Sequence, residues 1–247
     1  MTETITPPST KQNYWSQIIF ILASNAALLY GILFLKRNFF FVMYIFWFES
    51  LIRILFNALR IWKAGKDVTE IPKEKMTINK REFTIADINN RSYYARIYCS
   101  TNLFLLFTYL VFIIVMVGFV FPFSLDDNEM LIQNINIMFF RDGAFLIALL
   151  MFFASSLYNY LFGYIRNDAY KNTTVLMIGS LFEKQNLVMH ISLILGIGFW
   201  IISQRYFPSY KNYSMMVLAS VFVAIKLSVD IYSHHSSFVK YSAAEQA

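Results

Sequence analysis

The sequence predicts an all-α, polytopic membrane helix bundle of about six transmembrane helices with both termini in the cytoplasm. Three observations lead there. Hydrophobic residues make up 57% of the 247 and charged residues 15%, where soluble domains carry roughly 45–50% apolar residues; mean hydropathy is +0.50. The apolar residues come in blocks of about 20 parted by charged loops, the length needed to cross about 30 Å of hydrocarbon. The basic residues also divide unequally between alternate loops, as orientation in a membrane requires.

The first block, Trp15 to Leu35, opens on the amphipathic rings of Tyr14 and Trp15, which suit the headgroup level. Only Lys11 precedes it, and it is longer than the signal-peptide core of about 7–15 residues, so it is expected to stay in the mature chain. Lys36 to Asn38 is a link short enough to force a tight antiparallel hairpin into the second span, Phe39 to Arg60, which Trp62 closes. Residues 61–99 form the one sizeable loop, where Lys and Arg mix with Asp67, Glu70, Glu74, Glu82 and Asp87; it is too short and too poor in apolar residues to hold its own core. The third span is placed at Ser100 to Phe121. Ser124-Leu125-Asp126-Asp127 then reads as a helix cap before an amphipathic segment, Met130 to Phe140, expected on the outer surface. After the fourth span, Ala144 to Ile165, a second amphipathic stretch, Tyr170 to Asn186, is expected along the inner interface. Leu187 to Ser203 and Ser214 to Ser233 complete the set. With no convincing internal repeat, residues 1–247 read as a single transmembrane domain.

Six spans put both termini on one side, together with fourteen Lys and Arg, against five on the other, Arg53 and Lys226 being intramembrane. The bias places the termini and the 61–99 loop in the cytoplasm, with the chain in the cell (inner or plasma) membrane. The formal charge of +6 belongs to loops beside apolar spans, so the expected partners are the bilayer and its anionic headgroups at the cytoplasmic face. No recognition motif points to nucleic acid. An oligomer is compatible with the sequence. Cys99 is the only cysteine, which excludes an intrachain disulfide and a thiolate metal cage, and it reads as a structural thiol. There is no Gly-x-Ser-x-Gly elbow, no catalytic residue can be assigned, and no cofactor is expected.

Ionisable groups at membrane depth cost roughly 2.5–3.5 kcal/mol each on insertion scales. Counting inward from the cytoplasmic ends at 1.5 Å per residue, Asp230 and His190 lie about 5 Å deep, Arg53 and Lys226 about 10 Å, and Glu49 and Asn25 about 15 Å. Asn25, Trp47, Glu49, Arg53, His190, Lys226 and Asp230 form the candidate buried polar cluster, in which two acids balance two bases. Glu49 and Arg53 are i, i+4 and can lock one helix face as an ion pair or hold a carboxylate on a solute or proton path. Lys226 and Asp230 share that spacing, and the Lys lies near enough to the interface to snorkel. No metal site is assigned; His190, Asp230 and His234 are weak candidates, since Asp230 and His234 share a helix face but no His-Glu-x-x-His pattern is present.

Three stretches, Phe46-Trp47-Phe48-Glu49-Ser50, Met189-His190-Ile191-Ser192-Leu193-Ile194-Leu195-Gly196 and Lys226-Leu227-Ser228-Val229-Asp230-Ile231-Tyr232-Ser233-His234, together resemble a family of small prokaryotic multi-pass membrane proteins whose domain has no known function. The resemblance implies that Trp47, Glu49, His190, Lys226, Asp230 and His234 matter together; it implies no activity, substrate or cofactor. Phe46 stands where that family leads one to expect Tyr. The residues themselves favour a small-solute or ion permease or channel-like protein. A membrane-embedded enzyme, metal-assisted and acting at the cytoplasmic interface, and a structural or accessory membrane subunit are the alternatives.

Overall fold

A computed structural model describes residues 38–69, 84–125, 127–178 and 219–232, with positions 77, 78, 81 and 82 and scattered positions between 18 and 34 and between 190 and 217. Among the described residues the fold is all-α apart from one two-residue antiparallel pairing, β1 (Thr77–Ile78) with β2 (Arg81–Glu82). The helices are α1 (Phe39–Lys63), α2 (Ile85–Asn89), α3 (Arg91–Phe112), α4 (Phe121–Leu125), α5 (Asn128–Met138), α6 (Gly143–Tyr158), α7 (Ala169–Asn172) and α8 (Val175–Ile178). Two π-helical segments, Ile113–Val120 and Asn159–Arg166, prolong α3 and α6. Every described position between 18 and 32, between 190 and 206 and between 217 and 232 is also helical. Among the described residues, three helical stretches, Phe39–Lys63, Arg91–Phe123 and Asn128–Arg166, are long and apolar enough to cross a membrane.

The chain divides into two compact units, Met1–Val42 with Val188–Ala247, and Met43–Leu187. In the first, Leu28, Ile32, Ala219 and Val223 are buried, and the ring of Phe39 stands edge-on to that of Phe222 at 6.4 Å.

The second unit is organised by α1. Its start is capped by Asn38 Oδ1, which accepts the Phe41 N–H at 3.0 Å, and Arg60 and Lys63 sit in its last turn, where the helix dipole favours cations. In this helix 78% of the most apolar window is buried, against 28% in Arg91–Phe123 and 11% in Asn128–Arg166, so α1 is the most enclosed of these three stretches. Trp47, Ser50, Ile54, Asn57 and Ile61 recur at three- and four-residue steps and are all buried. On α3, Tyr94, Tyr98, Asn102 and Leu106, spaced by four, are likewise buried. Hydrogen bonds join the two helices in a seam, Trp47 Nε1 to Leu106 O at 2.7 Å and Asn57 Nδ2 to Tyr98 Oη at 3.3 Å among them. On another face Phe56 packs on Phe153 and Tyr160, each at 5.8 Å.

Between α1 and α3 the described residues are tied together by specific hydrogen bonds. Asn89 exchanges two hydrogen bonds with the backbone of Val68, at 2.8 and 3.0 Å, and Thr84 and Asp87 form a capping box at the start of α2. Gly65 donates to Tyr170 O at 2.7 Å, and a Cβ on Gly65 would stand 3.0 Å from both that oxygen and Lys171 Cα, so glycine permits this backbone approach. The helix placed from Ser100 begins at Arg91: Tyr94 and Tyr98, polar enough to read as loop, are fully buried and carry the helix about 13 Å beyond the apolar block.

Three further features have local causes. Asp127, not Ser124, caps α5, accepting the Met130 N–H at 2.8 Å, while Ser124 belongs to α4. The third membrane-length stretch is interrupted at Phe140, which adopts φ 58° with Arg141 N bonded to Asn136 O and Phe140 N to Ile137 O, the hydrogen bonds of a Schellman ending. A phenylalanine at this left-handed position costs of order 1 kcal/mol. Its ring is held 5.6 Å from Phe48 and 5.8 Å from Phe145, which also stacks on Tyr44. Tyr170 to Asn186 does not start as one continuous helix, since Thr173 is extended between α7 and α8; residues 179–186 lie outside the described set.

The amphipathic segment α5 is docked by a buried asparagine. Pro122 has no N–H, so the carbonyls four and five residues earlier, Gly118 and Val117, lose the donor that an α- or π-turn would supply. Asn134, 2% exposed, donates Nδ2 to Gly118 O at 3.0 Å and to Val117 O at 3.5 Å. Asn134→Leu is expected to strand these carbonyls and cost about 1–3 kcal/mol. Thermal unfolding in detergent should show Asn134→Leu less stable than Gln133→Leu, a nearby change at a less buried site; equal stability would refute the docking role.

Candidate functional site

Two ion pairs dominate the buried polar residues. On α1, Glu49 and Arg53 are one turn apart, and Arg53 Nη2 donates to Glu49 Oε1 at 2.9 Å. The carboxylate side chain is 9% exposed and the arginine 38%, so the pair is enclosed at its acidic end alone. Both residues share a helix stripe with Phe56 and Arg60, at i, i+4, i+7 and i+11. In the helix through 219–232, Lys226 Nζ donates to Asp230 Oδ2 at 2.7 Å, with side chains 2% and 7% exposed. A lysine stem can carry its ammonium to water from near an interface. This one stays inside, and Lys226 ranks among the largest fully buried side chains.

The remaining predicted members fall around these pairs in different ways. Trp47, two residues before Glu49, sends its indole N–H to α3 and not to the carboxylate. Asn25 is 1% exposed, in the same unit as Lys226 and Asp230. His190 is exposed at a helical position, unlike the buried members. Glu49, Arg53 and Trp47 belong to one compact unit, and Asn25, His190, Lys226 and Asp230 to the other. His234 lies outside the described residues; among the described ones no group of three His, Cys, Asp or Glu side chains is placed to hold a metal ion. Cys99 is a half-buried free thiol on α3.

Sequence reasoning missed a second set of polar residues. Ser50, Asn57, Tyr94, Tyr98 and Asn102 are buried along the α1–α3 seam, where Asn102 Nδ2 bonds Tyr98 O at 2.9 Å and Arg60 Nη1 lies 3.5 Å from Asn57 Oδ1. At the end of α1, Tyr164 donates its hydroxyl to Arg60 O at 2.9 Å while its ring lies 5.8 Å from the guanidinium. Asn, Ser and Tyr weaken an apolar block too little to stand out by hydropathy. The signal available was the three- and four-residue spacing. Outside the spans, Lys171 bonds Asp168 at 2.8 Å, which lowers the Asp168 pKa and raises that of Lys171; both are exposed.

These arrangements can keep charge inside an apolar bundle; none of them presents a nucleophile with an adjacent base. Comparison with curated proteins and with solved structures finds no match. A sequence model built for one family does match, over residues 8–247, and with it the stretches around Trp47, Glu49, Lys226 and Asp230. The chain belongs to that family, a family of unknown function (DUF6498).

Proposed function

We propose that the protein is a multi-pass permease or channel-like protein for a small polar solute or ion, in the inner or plasma membrane of a prokaryote. In this reading residues 1–247 form one transmembrane domain of six spans, and the fourteen-to-five distribution of Lys and Arg keeps the termini and the 61–99 loop in the cytoplasm. The observation that carries it is the enclosed Lys226–Asp230 pair. A lysine near a membrane interface has a cheaper alternative in water, and ionisable groups retained at membrane depth are by default read as functional, commonly on ion or proton routes. Glu49–Arg53 supplies a second buried carboxylate, with its arginine reaching the surface.

The test is osmotic swelling of vesicles containing the purified protein, with glycerol, urea and KCl as probes. Swelling several-fold faster than in protein-free vesicles is expected for at least one probe, falling to the protein-free rate in Lys226→Met/Asp230→Leu. Protein-free rates for the parent with all three probes would overturn the reading. A double variant that swells as the parent does would assign the pair to helix packing alone.

A further inference from the structure

The Lys63 end of α1 gathers cations on a platform of tyrosines. Arg60 and Lys63 lie in its last turn, the Tyr164 hydroxyl fixes that turn through Arg60 O, and the Tyr164 and Tyr170 rings are 6.4 Å apart. The ammonium groups of Lys63 and Lys171 both lie 5.8 Å from the centroid of the Tyr170 ring. The Gly65–Tyr170 backbone contact holds the two segments together, and Arg91, the first residue of α3, bonds Gly65 O at 3.1 Å. The C-terminal ends of α1 and of the π-helical Asn159–Arg166 segment thus converge with the N-terminal end of α3.

Among the described residues, not all of this charge is neutralised. Lys171 is paired with Asp168 and Arg91 with Asp67, whereas among the described residues no carboxylate lies within ion-pair distance of Lys63, Lys66 or Arg166. Like charges gathered at one end of a bundle repel, and an anion relieves that repulsion. If α1, α3 and α6 cross a membrane, as the proposed function has it, this end lies at headgroup depth, with the exposed Trp62 ring as its interfacial marker. Anionic lipid phosphates are concentrated there, and clustered Lys and Arg beside a span attract them.

We infer that the Lys63 end binds the phosphate of an anionic lipid headgroup, with Lys63 and Lys66 as its direct cationic contacts and the Tyr164–Tyr170 platform holding them in place. This rests on the membrane placement in the proposed function but not on transport. The test measures thermal unfolding of the full chain in a neutral detergent at constant ionic strength, with short-chain phosphatidylglycerol, short-chain phosphatidylcholine or inorganic phosphate added. A ligand binding only the folded state raises Tm by mass action, and phosphatidylglycerol is expected to raise it by about 5 °C with no rise from phosphatidylcholine. Lys63→Gln/Lys66→Gln, two exposed positions, should keep the parent's Tm without lipid and lose most of the rise. Equal shifts from the two lipids, or an undiminished shift in the variant, would overturn the site. A full shift from inorganic phosphate would overturn the lipid as its source. A lipid shift in a protein that moves no solute would leave the site standing and remove only the permease reading.

Discussion

Replacing Asp230 with Asn is expected to destabilise the protein by about 3–5 kcal/mol, because it leaves the Lys226 ammonium buried without its counter-charge. At 2% exposure the ammonium has no access to water where it stands, and its 2.7 Å contact with Asp230 Oδ2 compensates its desolvation. The pair as a whole contributes far less than this loss suggests, since both ions were desolvated to form it. Lys226→Met/Asp230→Leu, apolar and similar in volume, is therefore expected to recover most of the stability lost by Asp230→Asn. The cycle of two singles and the double, read by thermal unfolding in detergent, isolates the coupling. An Asp230→Asn variant as stable as the parent would mean that Lys226 is solvated or held by other partners once the carboxylate is neutral. The same experiment on Glu49 and Arg53 should show weaker coupling, because Arg53, 38% exposed, can be solvated once its partner is neutral.

How much of this was visible in the sequence depended on which physical signal a residue sends. α1 was legible because 25 residues without Gly or Pro carry one dominant apolar run, and its i, i+4 charges were legible because helical spacing fixes their proximity. The start of α3 was hidden because Tyr94 and Tyr98 carry hydroxyls that lower hydropathy while their rings pack fully. The break after Phe140 matches the end placed for the amphipathic segment, but its left-handed residue was hidden: no Gly or Asn announces it, and tertiary packing of the ring on Phe48 and Phe145 overrides the local preference. The docking of α5 could have been read by asking which donor replaces the one absent at Pro122, with Asn134 the answer. Lys226 shows the limit. Sequence places it near an interface and permits snorkelling, and only the packing around it decides that it stays inside.

Trp47 offers the other large expected effect and separates a packing role from a chemical one. Its ring, 9% exposed, lies 4.8 Å from Phe48 and 6.3 Å from Tyr44, and its indole N–H spans the seam to Leu106 O. Trp47→Ala removes the ring and leaves a cavity in the α1–α3 contact, a change that costs about 3–5 kcal/mol in packed cores. Trp47→Phe keeps an aromatic ring but loses the hydrogen bond and some volume, and is expected to cost about 1–2 kcal/mol. Both values would be read from thermal unfolding in detergent, with vesicle swelling measured on each variant. If Trp47 acts only by fastening α1 to α3, the swelling rate per folded molecule should be nearly that of the parent in Trp47→Phe. Loss of swelling in a Trp47→Phe protein of near-parental stability would instead give the indole N–H a part in solute handling, despite its contact with Leu106. A Trp47→Ala variant as stable as the parent would show that the seam does not depend on this ring.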